Sequence, residues 1–135
     1  MLKRLLAGAM LAVMVLPVAA KEGDYLFDTL KRPVWRKAWN NMLASGGRMP
    51  EWIGVFSRTY NGVATPASLV NIGDKTYELA TVCKPHDCGD NQLYVLFKSD
   101  GLQAFGLLLQ TGKPQRFLGA PDAAQQAALV QGAAQ

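Results

Sequence analysis

Lys75-Thr76-Tyr77-Glu78-Leu79-Ala80-Thr81-Val82-Cys83-Lys84-Pro85-His86-Asp87-Cys88-Gly89-Asp90-Asn91-Gln92-Leu93-Tyr94-Val95-Leu96-Phe97-Lys98 is the stretch that decides the architecture. Lys75 to Cys83 alternates, with Tyr77, Leu79, Thr81 and Cys83 on one side and Thr76, Glu78, Ala80 and Val82 on the other. That period of two belongs to a strand. Gln92 to Lys98 is a second strand, carrying Leu93, Val95 and Phe97 on one side. The connection between these adjacent strands holds both cysteines and the only histidine of the chain.

Outward from this pair, turn signals and periodicities predict the remaining elements. Ser68 to Ile72 reads as a short apolar strand ending at the Gly73-Asp74 turn. Ser99-Asp100-Gly101 predicts a hairpin turn into a strand from Gln103 to Gln110, and Gly112-Lys113-Pro114 turns again into a short edge strand, Arg116 to Leu118. Upstream, Asp24 is predicted to cap a helix from Tyr25 to Leu30, and Pro33 to open a second from about Val34 to Ala44. Trp35, Trp39, Met42 and Leu43 share one face of that helix, a stripe that packs into a core. Exposed, the same tryptophans would stack on sugars. Ser45-Gly46-Gly47 ends the helix. Between Pro50 and Pro66 no period wins, and a helical turn followed by a loop through Asn61-Gly62 is expected. Pro121-Asp122 begins an alanine- and glutamine-rich helix to about Val130. The fold class is therefore α+β: a single domain in which helices flank an antiparallel meander, with a protruding disulfide-closed loop.

The first residues read as an export signal rather than as structure. Lys3 and Arg4 precede an apolar run from Leu5 to Leu16, Pro17 breaks it, and Val18-Ala19-Ala20 supplies small side chains for a peptidase. The run is shorter than the roughly 20 apolar residues that span a bilayer. Residues 1–20 are thus predicted to be cleaved and residues 21–135 to form the mature domain, with the periplasm as destination. Fourteen basic residues then become twelve against ten acidic ones, lowering the net charge from +4 to +2. That charge is spread along the chain, so neither a clustered nucleic-acid footprint nor a polybasic membrane patch is expected.

In an oxidising compartment the two cysteines pair, and Cys83 with Cys88 is the one intrachain pairing available. Pro85 fixes its own φ and pushes Lys84 towards an extended conformation. Lys84-Pro85-His86-Asp87 suits a type I turn, while Gly89, followed by Asp90, can take a positive φ at the loop exit. So small a ring stabilises the fold by only about 2 kcal/mol. Its larger effect is preorganisation, since a rigid loop has little entropy left to lose on binding. Other chemistries fit less well. C-x4-C lacks the spacing of thioredoxin-like redox sites. A metal site would need Cys83, His86, Asp87 and Cys88 from one hexapeptide, with thiolates that oxidation removes. A hydrolase would need a serine motif for His86 to serve, and G-x-S-x-G is absent. No cofactor or metal is called for, and the loop reads as a recognition element.

Cys83-Lys84-Pro85-His86-Asp87-Cys88 followed by Gly89 resembles the signature of the Ivy family, the bacterial periplasmic inhibitors of vertebrate (C-type) lysozyme. The resemblance runs from Pro50 to Leu108, through Pro50-Glu51-Trp52, the Asn91 to Phe97 strand and the Asp100-Gly101 turn leading to Gly106-Leu107. It implies a non-enzymatic protein whose loop enters the lysozyme cleft, with His86 bonding the catalytic carboxylates and Lys84, Pro85 and Asp87 shaping or contacting. It also admits a homodimer. The cell's own lytic transglycosylases, which likewise use a catalytic carboxylic acid, are the alternative target. A periplasmic metal-binding protein is a more distant reading.

Overall fold

The computed structural model describes Gly23–Gln135. The predicted signal segment and its cleavage point lie outside the described residues. In chain order the elements are α1 (Leu26–Thr29), α2 (Pro33–Ser45), α3 (Glu51–Thr59), β1 (Val63–Ile72), β2 (Lys75–Cys83), β3 (Asn91–Lys98), β4 (Ala104–Gln110), β5 (Arg116–Leu118) and α4 (Ala123–Ala133). Each strand pairs antiparallel with the next, giving a five-stranded meander in the order β1-β2-β3-β4-β5.

The sheet is covered on both faces. Ala80, Val82, Leu93, Val95, Phe97 and Leu108 pack against α1 to α3, around the fully buried Leu26, Trp39, Ile53 and Phe56. Tyr77, Leu79, Leu96, Phe105 and Leu107 form a second cluster beneath Leu129 of α4. The central strand β3 therefore buries residues of both parities, Leu93, Val95 and Phe97 on one face and Leu96 on the other.

Local chemistry explains the helix ends. Pro33 occupies the first turn of α2, where no intrahelical N–H is needed. Asp122 accepts from Gln125 N–H at 2.8 Å, and the Gln125 side chain accepts from Asp122 N–H at 2.9 Å, a reciprocal cap that starts α4. Gln125 also donates to Tyr77 Oη at 3.1 Å, so this buried amide ties α4 to β2. Trp39 Nε1 donates to Ser57 Oγ at 3.0 Å, satisfying its polar edge inside the core.

Several boundaries differ from the sequence expectations. The residue flanking α1 is Tyr25, with no side-chain cap, so Asp24 does not start that helix. The Asp24 carbonyl instead accepts from Ala67 N–H at 3.0 Å and ties the N-terminal segment to β1. Residues 51–59 form a complete helix, because Trp52, Ile53 and Phe56 fill one buried face. β1 begins five residues before Ser68, and a register shift between Thr65 and Ser68 accommodates Pro66 on this edge strand. α4 also runs past Val130, to Ala133.

Gly101 ends the β3–β4 turn at φ 75°, and a Cβ placed there would sit 2.4 Å from the Trp35 ring of α2. Neither the rigid indole nor the backbone can yield easily. Gly101→Ala should lower unfolding stability by about 2 kcal/mol or more in a denaturant titration. A loss of a few tenths would mean that Trp35 is free to move.

Candidate functional site: the Cys83–Cys88 loop

The β2–β3 ladder ends with Cys83 opposite Gln92. Beyond that rung the chain leaves the sheet, and Cys83 and Cys88 close it with a disulfide across a Cα–Cα distance of 4.9 Å. All six predicted loop residues are thus held in one small ring at the end of the central strands. Lys84 N–H donates to the Asn91 carbonyl at 3.1 Å, continuing the ladder through the ring's base.

Inside the ring, Asp87 N–H donates to the Lys84 carbonyl at 3.1 Å, as expected for a four-residue turn. Its type is corrected. His86 has φ 64°, which places the positive φ of a type II turn at the third residue, whereas type I would keep it negative. Pro85 suits the second position of either type, so the sequence alone did not separate them. Gly89, expected to take the positive φ, is not among the glycines that do. His86 itself carries the left-handed conformation, at a cost of about 1–3 kcal/mol for a residue with a Cβ.

Polar contacts with β3 and β4 hold this geometry. Asp87 Oδ2 accepts from Asn91 Nδ2 at 2.9 Å and lies 3.4 Å from Lys84 Nζ. The ion pair is half exposed and contributes at most about 1 kcal/mol, so its value lies in position rather than stability. Gln110 Nε2 reaches Asn91 Oδ1 at 3.2 Å, linking the clamp to β4. On the other side of the ring, Gln92 Nε2 donates to the Cys88 carbonyl at 2.8 Å, and Tyr94 Oη donates to Gln92 Oε1 at 2.8 Å. Burial pushes the Tyr94 phenol above its usual pKa, keeping that donor protonated. At the exit, Thr111 donates to Asp90 twice, from its N–H to the carbonyl at 3.0 Å and from Oγ1 to Oδ1 at 2.7 Å.

Nothing in the sequence marks Asn91, Gln92, Tyr94 and Gln110 for this role. Gln92, Tyr94 and Gln110 read there as ordinary strand residues and Asn91 as part of the loop exit, and only the cross-strand register brings their side chains together at the ring. Their bonds are directed inward, as are those of Asp87 and Asp90. His86 differs. It is exposed, and among the described residues its side chain forms no hydrogen bond. Both ring nitrogens are available to an outside group. One flank of the loop, Lys84 and Pro85, faces Glu51, Trp52 and Val55 of α3 across a cleft of about 400 Å³.

With both sulfurs in the disulfide, the loop offers no thiolate to a metal. Among the described residues no three His, Cys, Asp or Glu side chains converge into a metal site. The tryptophans form no exposed platform: Trp39 is fully buried and Trp52 nearly so, while Trp35 lies under the Arg32 guanidinium, 3.8 Å from its ring centre.

The family described as "Inhibitor of vertebrate lysozyme (Ivy)" matches residues 35–133, from the first turn of α2 to the end of α4. The chain belongs to the Ivy family. A Pseudomonas aeruginosa protein named inhibitor of vertebrate lysozyme is 35% identical over 91 residues, which are 67% of this chain and 57% of the relative. The Escherichia coli K12 protein of the same name is 31% identical over 96 residues, 71% of this chain and 58% of the relative. The chain thus spans less than two thirds of either named inhibitor. An uncharacterised Pseudomonas aeruginosa protein matches more widely, 33% identical over 141 residues that cover 93% of this chain and 87% of its own. Both named relatives are described as inhibitors.

The clamp can be tested without any ligand. Asn91→Ala removes the side-chain bonds to Asp87 and Gln110 while leaving the backbone bond from Asn91 N–H to the Asp87 carbonyl, the disulfide and both core clusters intact. Amide exchange at Asp87 should quicken by about tenfold, with global stability falling by no more than about 1.5 kcal/mol. Unchanged exchange at Asp87 would show that the disulfide alone sets the turn.

Proposed function

We propose that this Ivy chain inhibits C-type lysozyme by inserting the Cys83–Cys88 loop into the active-site cleft, where His86 bonds the catalytic carboxylates. The observation that carries the reading is the unpartnered imidazole, held at positive φ on the tip of a braced ring. Glycine or asparagine would occupy that backbone position with less strain. A histidine kept there is best explained by what its side chain does. Membership of the Ivy family, and the lysozyme named in its relatives' descriptions, supply the target class.

The chemistry follows from the two partners. A retaining glycosidase holds two carboxyl groups about 5 Å apart, one protonated and one ionised. An imidazole presents a nitrogen on each side and can bridge such a pair. Anionic surroundings favour the imidazolium, which donates from both nitrogens. Each charge-assisted bond contributes roughly 1.5–3 kcal/mol. Carboxyls engaged in this way can no longer protonate a glycosidic oxygen, so inhibition needs no covalent step. The predicted signal segment would deliver the protein to the periplasm, between an incoming lysozyme and the cell wall.

Asp87 and Asp90 are bonded within the domain, which weakens them as beacons for a basic target. Affinity should therefore rest on shape complementarity and slow dissociation. In a turbidity assay with cell-wall suspension and C-type lysozyme, the oxidised mature protein should abolish lysis at near-equal molarity. His86→Asn keeps a residue that tolerates positive φ and removes the bridging imidazole. It should raise the inhibition constant at least tenfold, or about 1.4 kcal/mol, and His86→Ala should do the same. An unchanged constant in both variants would refute the His86 contact. Full lysis in an excess of folded protein would refute the lysozyme reading and direct attention to the lytic transglycosylases.

A further inference from the structure

The cleft beside the loop continues past Pro50 and Gln110, which also border a second, larger cleft of about 510 Å³ between the α2–α3 connection and the β4–β5 turn. Arg48, Lys113 and Arg116 line this second cleft, and among the described residues no Asp or Glu does. None of the three cations forms an ion pair with a described residue. Arg116 is held in place: its Nη2 donates to the Arg48 carbonyl at 3.1 Å and approaches Met49 Sδ at 3.6 Å. A guanidinium has five N–H donors, so this tether leaves most of them free. Three like charges around one concavity repel one another, and a bound anion would reverse that repulsion.

We propose that this cleft binds a carboxylate-bearing glycan strand, the chemistry of peptidoglycan with its lactyl and stem-peptide carboxylates. The arginines suit carboxylates through their planar forks. Gln110 and Gln115 supply amides for hydroxyl and acetamido groups, and Met49 and Pro114 supply an apolar wall for the C–H face of a sugar ring. A lipid surface fits less well. The large exposed apolar side chains, among them Leu69, Leu102 and Val130, lie outside the cleft, so none flanks these cations to enter a bilayer. A strand lying in this cleft would run towards the base of the His86 loop, because Pro50 and Gln110 border both concavities. The protein would thereby be concentrated on the polymer that a lysozyme attacks. His86 lies outside both linings, so the glycan proposal stands independently of the inhibitory reading.

The test is co-sedimentation of the mature protein with insoluble peptidoglycan sacculi. Chitin serves as the uncharged glycan and phosphatidylglycerol vesicles as the anion without sugar. Arg48 and Lys113 are exposed, so the double variant Arg48→Glu/Lys113→Glu should fold, as its thermal melt will verify. The wild-type chain should sediment with sacculi but not with chitin or vesicles. Retention should fall at least tenfold in the double variant, and should fade between roughly 50 and 300 mM salt as screening shortens the reach of the cations. Equal retention of the folded double variant would overturn the proposal, as would equal binding to chitin or preferential binding to the vesicles. Lysozyme is absent from this assay, so its result is separable from that of the inhibition measurement.

Discussion

The pairing of β2 with β3 is the constraint on which the rest depends. β3 is buried on both faces, and a slip of one residue would exchange the side chains packed beneath α2 and α3 with those beneath α4. Phe97 and Leu96 differ in size and meet differently shaped surroundings, so the two faces are not interchangeable. The register is therefore fixed by packing on both sides. Its last rung sets Cys83 opposite Gln92. From that rung the Lys84–Asn91 bond, the Asn91–Asp87 bond and the Gln92–Cys88 bond all follow. The loop's shape is thus an extension of core packing into a solvent-exposed segment.

This dependence explains which parts of the molecule were legible in the sequence. β2, β3 and β4 were readable because their alternation and bounding turns are local signals, and both cysteines mark the ends of the ring. Residues 51–59 were ambiguous because Trp52, Ile53, Val55 and Phe56 are dense enough in apolar side chains to satisfy either period. The early start of β1 was hidden by Pro66, which argues against a strand unless the strand is an edge with an irregular register. The sequence predicted a turn at Lys84 to Asp87 but misassigned its type, since proline at the second position is common to both. The bracing residues carried no signal, because their contacts arise only once register is known. Arg48, Lys113 and Arg116 make the same point for charge. They are dispersed along the chain yet gathered around one cleft.

The ring is small, and a cross-link closing about six residues stabilises a fold only modestly. It holds, nonetheless, a histidine in a conformation that histidine adopts reluctantly. That conformation persists because several restraints agree on it: the disulfide, the Lys84–Asp87 backbone bond, the Asn91 clamp and the Gln92 bond to Cys88. Strain at one residue is tolerable when the surrounding bonds would all have to be lost together to relieve it. A free hexapeptide of the same sequence lacks the β3 and β4 partners, and so should sample this turn only part of the time. Its affinity for any target would fall by the fraction of time spent in the competent shape.

The division of roles between His86 and Asp87 follows from the target proposed for the loop. A carboxylate next to the imidazole would meet an enzyme site that itself carries negative charge, and like charges there would oppose docking. Lys84 and Asn91 remove that difficulty by engaging the same oxygen of Asp87, so its charge is partly compensated and directed away from the tip. The inward acid shapes the turn while the outward imidazole is left without an internal partner. Lys84 serves both ends of this arrangement, since its carbonyl anchors the turn and its ammonium balances Asp87. An exchange of Asp87 for a neutral residue would therefore disturb the geometry and the charge balance together, whereas an exchange of His86 would leave the frame and remove only the proposed contact.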